Sequence, residues 1–114
     1  MSYLFEFKDN GKPLRVAYVG GTAIPFNETP EWYDVYLASS RKMAQAAADY
    51  GATVLLSNHT EFDNGYYKAH TAANRKTPGE PNPFDVGKDG VARYFKMVET
   101  CTEAAKLRAA NAKK

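Results

Sequence analysis

Three observations predict an α/β fold for this 114-residue chain. Residues 2–8 alternate in polarity with the period of a strand, and an Asn10-Gly11 turn signal sends them back into a second apolar strand. Two long stretches with helical spacing bracket a third, shorter apolar run, Thr53 to Ser57. The resulting order is β-β-α-β-(α)-α within one domain, residues 1–114.

The first strand places Tyr3, Phe5 and Phe7 on one side and Leu4, Glu6 and Lys8 on the other. Asn and Gly tolerate the positive φ angles of a tight hairpin, so Asp9-Asn10-Gly11-Lys12 forms the turn. Leu14, Val16 and Tyr18 share a face of the second strand. Ala17 and Val19 are apolar too, which predicts a strand buried on both sides. Gly20-Gly21-Thr22-Ala23 follows at once.

Thr29-Pro30 is a helix start, a capping hydroxyl followed by Pro at the first helical position. Tyr33, Tyr36, Leu37, Ser40, Met43, Ala44, Ala47 and Tyr50 then form a stripe of core residues, and Gly51 is the stop. After the short strand, Asp63-Asn64-Gly65 is a turn and Tyr66 to Arg75 a short helix with His70 exposed. Residues 77–84 carry three prolines and read as a stiff surface loop. Gly87-Lys88-Asp89 leads into a last helix to about Asn111, with Val91, Tyr94, Phe95, Val98, Cys101, Ala105 and Arg108 near one stripe. Three strands make a small sheet for two such helices to cover.

Composition sets bounds on function. Hydrophobic content of 44% and charged content of 25% are those of an ordinary globular protein. A net charge of +2, from scattered cations, does not call for nucleic acid. Only Lys106, Arg108, Lys113 and Lys114 gather, where cations suit a helix C-terminus. The single cysteine, Cys101, leaves no internal disulfide and no cysteine-based zinc site; it reads as a small packed apolar group. No apolar run reaches the roughly 20 residues of a membrane span. Nor does the start of the chain read as a signal peptide, so the expected location is the cytoplasm.

The chemistry-bearing residues fall at strand ends. In open α/β sheets, ligands bind outside the carboxyl ends of the strands. Gly20, Gly21 and Thr22 leave the second strand there; Asn58 and His59 leave the third. A histidine in that position can ligate a metal or carry a proton. The two-glycine loop is neither a P-loop nor a GxGxxG turn, although its backbone N–H groups could face an anion or nucleotide.

The strand Leu14 to Val19, the Gly20-Gly21-Thr22 exit, the long helix and Val54-Leu55-Leu56-Ser57-Asn58-His59 together resemble the C-terminal half of metallo-β-lactamase-fold hydrolases. The third subclass of zinc β-lactamases and its environmental relatives are the nearest in pattern. The run Pro81 to Gly87 and the helix with Arg93-Tyr94-Phe95 extend the resemblance over nearly the whole chain. It implies half of an αβ/βα sandwich, with zinc at one edge of its two sheets. His59 matches the family's last metal ligand, and Gly20, Gly21, Thr22 and Asn58 would line the same edge.

The family's other ligands are not in this sequence. The His-x-His-x-Asp-His motif is absent, and His59 and His70 are the only histidines. A catalytic zinc takes three protein ligands and an open position for water. The resemblance therefore implies a zinc hydrolase, acting on a β-lactam, ester or similar bond, whose isolated half is inactive. Completion would come from a second copy in a homodimer or from a missing N-terminal half. Full-length relatives are often periplasmic or secreted. The competing readings are a non-catalytic dimeric interaction module and an anion- or nucleotide-binding domain using Gly20-Gly21-Thr22.

Overall fold

In the computed structural model, which describes residues 2–20, 24–25, 27–58, 64–77 and 80–112, Asn10 and Gly11 take φ of 50° and 84°. Two successive positive φ angles are what a two-residue hairpin turn of this hand requires. The turn fixes the register of β1 (Tyr3–Asp9) against β2 (Lys12–Val19), from Asp9 opposite Lys12 to Tyr3 opposite Tyr18. β3 (Val54–Ser57) pairs parallel with β2, so the mixed sheet has the order β1-β2-β3.

The crossover from β2 to β3 carries α1 (Pro30–Tyr50). Thr29 caps its start: the Trp32 N–H donates to Thr29 Oγ1 at 3.1 Å. Gly51 ends it in the left-handed region, φ 78°, and returns its N–H to Ala47 and Ala48 carbonyls. No basic side chain lies in the last turn of α1. Arg15 supplies one from β2 instead, donating to the Tyr50 carbonyl at 2.7 Å and lying over the Tyr50 ring. A cation at the negative end of the helix both satisfies an orphan carbonyl and complements the dipole.

α2 (Gly65–Ala73) and α3 (Gly87–Ala112) complete the described elements. Asp34 meets Lys106, and Arg41 meets Glu99 and Glu103, so α1 and α3 run antiparallel. Both pack on one face of the sheet, where Leu4, Ala17, Val19 and Leu55 meet Ala47, Val91, Tyr94, Phe95 and Val98. The opposite face holds a smaller cluster of Leu14, Val16 and Val54, with Phe7, Leu56 and Phe84 against it. β2 is thus apolar on both sides, as its sequence predicts.

The proline-bearing loop does more than run over the surface. Its Phe84 covers the second sheet face, and Asp85 makes an isolated antiparallel bridge to Val54. The N–H groups of Val86 and Gly87 both donate to the Thr53 carbonyl, at 2.9 and 3.1 Å. The open edge of β3 is thereby covered at its start.

Cys101 departs from expectation: it is exposed, and Thr102 is fully buried in its place. From Val98 the core stripe advances four residues to Thr102 and then three to Ala105, and Cys101 falls beside it. The Thr102 hydroxyl donates to the Val98 carbonyl at 2.7 Å, which removes the cost of burying it. Arg108 is likewise exposed. Among the described residues, no helix is long and apolar enough to cross a membrane.

Candidate functional site

Because β2 and β3 are parallel, their carboxyl ends open on the same edge of the sheet, with Val19 opposite Ser57. Asn58 ties the two exits together. Its backbone N–H donates to the Val19 carbonyl at 3.2 Å, and its Nδ2 donates to the Gly20 carbonyl at 3.1 Å. The acceptor is a carbonyl, so the side-chain amide must present its NH2 group there. The Gly20 N–H in turn points at Ser2 Oγ, 3.5 Å away. Three strand ends thus meet at one corner.

Of the residues that the sequence nominates, Gly20 and Asn58 are brought into direct contact. Gly21, Thr22 and His59 lie outside the described residues. His70 is exposed on α2. Ser2 is an addition that the hairpin register makes legible: a two-residue turn at Asn10-Gly11 puts Ser2 across from Val19, one residue short of Gly20.

Beside this corner, a cleft of about 150 Å³ opens between the sheet and the two long helices. Ser2, Val19, Tyr36, Ser40, Met43 and Tyr94 are among its walls. Burial raises the Tyr36 phenol above its ordinary value, and the neighbouring Tyr94 adds to the effect. A phenol so raised stays protonated at neutral pH and serves as a hydrogen-bonding group, not as a base.

The carboxylates gather at the other end of the strands, by the hairpin turn. Asp9, Glu80 and Asp85 border a second cavity there, but Asp9 is paired with Arg75 and Asp85 lies 3.9 Å from Lys12. These are ties between the turn and the loop before α3. Among the described residues, no group of three or more His, Cys, Asp and Glu side chains converges as a metal site would require. The described donors alone therefore do not fit a zinc site.

Compared with known families and curated proteins, the chain matches no family model and no curated sequence.

Proposed function

We propose that this chain is the C-terminal half of a metallo-β-lactamase-like zinc hydrolase, inactive by itself, with His59 as the one zinc ligand it contributes. The observation that carries this reading is the Asn58–Gly20 contact, which joins the carboxyl ends of β2 and β3 one residue before His59 in sequence. The element order agrees with the resemblance. So does the layering, in which both long helices cover one sheet face and the other carries exposed Tyr3 and Phe5. In a half-sandwich that second face is the one that receives the other half.

One histidine does not hold a catalytic zinc, so in this reading the remaining donors come from outside these 114 residues, from a second copy or from an N-terminal half. For the anion-binding alternative, only Gly20 of its loop is described, and the Gly20 N–H is directed at Ser2. No specific observation favours that reading.

The test is zinc titration by calorimetry on the purified chain and on a His59→Ala variant, with the mass in solution recorded for both. Saturable binding that vanishes in the variant supports the assignment. Binding that ignores the substitution, or a folded chain that binds none at all, overturns the metal assignment. Turnover of a chromogenic β-lactam or ester by the isolated chain, undiminished in His59→Ala, would overturn the inactive-half reading.

A further inference from the structure

We propose that the outer edge of β1 pairs, antiparallel, with β1 of a second copy about a two-fold axis passing between the two Phe5 residues. This rests on the second-copy alternative named above, and it places a contact between copies at the sheet edge, separate from the sheet face that would receive the other half. It does not depend on zinc.

The direction of the backbone groups comes first. The Arg15 and Val19 carbonyls accept from Thr53 and Asn58, so these residues of β2 face β3. Arg15 sits opposite Glu6, and Ala17 opposite Leu4. Where the residue on one strand of an antiparallel pair turns its N–H and C=O away, its partner does the same. The N–H and C=O groups of Leu4, Glu6 and Lys8 therefore point out from the free side of β1. Among the described residues no strand takes them up. The two edges of the sheet are unlike in this respect, since β3 is bridged by Asp85. An uncovered edge of this kind is a template for another strand.

A second copy can satisfy the edge only in registers that set Leu4, Glu6 or Lys8 against one another. Centring on Glu6 places two carboxylates directly opposite, which is unfavourable. Centring on Phe7 runs each strand into the partner's Asn10-Gly11 turn and sets Phe5 against Asp9. Centring on Leu4 leaves Lys8 beyond the paired region. Centring on Phe5 avoids all three faults. Leu4 then exchanges hydrogen bonds with Glu6 of the second copy, and Ser2 with Lys8, with no like charges directly opposite.

The same register builds an aromatic ladder. Phe5 meets Phe5, and Tyr3 meets Phe7 in both directions, at the positions without inter-strand hydrogen bonds, where facing side chains come closest. Tyr3 and Phe5 are 52% and 42% exposed in the single chain, which leaves them surface to bury. Tyr18, whose ring lies 6.0 Å from that of Tyr3, extends the patch onto β2.

The mass in solution is measured first, by light scattering across a dilution series. A dimer is expected; a monomer at every concentration overturns both the edge pairing and self-association. Two variants then locate the interface. Glu6→Pro removes an outward N–H while leaving the β2-facing bonds of Phe5 and Phe7 in place. It should give a monomer with an unchanged far-ultraviolet spectrum. Phe5→Cys, in a Cys101→Ser background, should form a disulfide-linked dimer on mild oxidation, and Glu6→Cys in that background should not. A dimer that survives in folded Glu6→Pro, or one in which Phe5→Cys fails to cross-link, overturns the edge pairing while leaving self-association standing. If Glu6→Pro does not fold, the cross-linking result decides.

Discussion

Arg75 holds Asp9 through both carboxylate oxygens, Nη1 to Oδ2 at 2.7 Å and Nη2 to Oδ1 at 2.8 Å, across 66 residues of sequence. The pair fastens the segment after α2 to the hairpin turn. Both side chains are only 18% exposed, and the fork geometry is the strong form of this interaction.

The pair makes stability depend on acid in a definite direction. The Arg75 hydrogen bonds hold the Asp9 carboxyl below its ordinary 3.8; burial opposes this, while the charge of Arg75, a hydrogen bond with Asn82 and the charge of Lys12 add to it. A carboxylate lowered on folding contributes stability that is complete above about pH 4 and is lost as pH falls through the folded value. Arg75→Gln should therefore lower the melting temperature at pH 7, and its difference from the wild type should narrow as pH falls from about 4 toward 2. Thermal scans across that range check it. A difference undiminished at pH 2 would mean that Arg75 acts through packing or its bond to the Ala72 carbonyl instead.

Gly90 sets helix propensity against packing. Ala in a helix interior is favoured over Gly by about 1 kcal/mol. A Cβ at Gly90, however, would lie 2.7 Å from Val86 Cβ and 2.8 Å from its Cγ2. Val86 cannot easily withdraw, because its N–H is bound to the Thr53 carbonyl and its side chain packs on the core. Overpacking of this kind costs about 1–3 kcal/mol, so Gly90→Ala should be net destabilising by about 1 kcal/mol. Urea titration decides the sign, and a stabilised variant would show that the α3 entrance relaxes.

Thr102 and Cys101 are consecutive residues of α3, the first fully buried and the second exposed. Cys101→Asp should change stability by no more than about 0.5 kcal/mol, as an exposed substitution away from special contacts does. Thr102→Asp buries a carboxylate without a partner and should cost at least about 3 kcal/mol. Thr102→Val keeps the shape and removes a hydroxyl whose acceptor is already within the helix, so its effect should stay within about 1 kcal/mol. Denaturation midpoints of the three variants test the order. Near-equal losses for the two Asp variants would contradict the burial of Thr102.

These cases mark what local sequence could and could not reveal. The hairpin was legible because Asn10-Gly11 specifies a turn, and a two-residue turn specifies a register. The bounds of α1 were legible because Thr29, Pro30 and Gly51 act on backbone groups within four residues of themselves. Cys101 misleads because apolar character alone favours it for the core, whereas a threonine that bonds its own preceding turn can take the buried position. Phe84 does lie in a loop, as the prolines around it predict, but its packing is not legible locally because its partners, Leu14, Val16 and Val54, lie 30 or more residues away. At the candidate site, Gly20 and Asn58 could be placed at strand ends separately. Their contact depends on the parallel register of β2 and β3 across the whole α1 crossover, which no short stretch encodes.

That contact supplies the last prediction. The Asn58 side chain is exposed, and a single such hydrogen bond adds about 1 kcal/mol at most to global stability. Its role is local, holding the two strand exits in fixed relation. Asn58→Ala should leave the melting temperature nearly unchanged but speed amide exchange at Gly20 and at residue 58 itself. Asn58→Asp should do the same, because a carboxylate cannot donate to the Gly20 carbonyl and repels it. In the zinc titration, both variants should weaken whatever His59-dependent binding the wild type shows, Ala by loosening alone. An Asp that strengthens binding relative to Ala would mean that residue 58 itself reaches the metal. Unchanged exchange at Gly20 in both variants would mean that the backbone bond from Asn58 to Val19 holds the corner without the side chain.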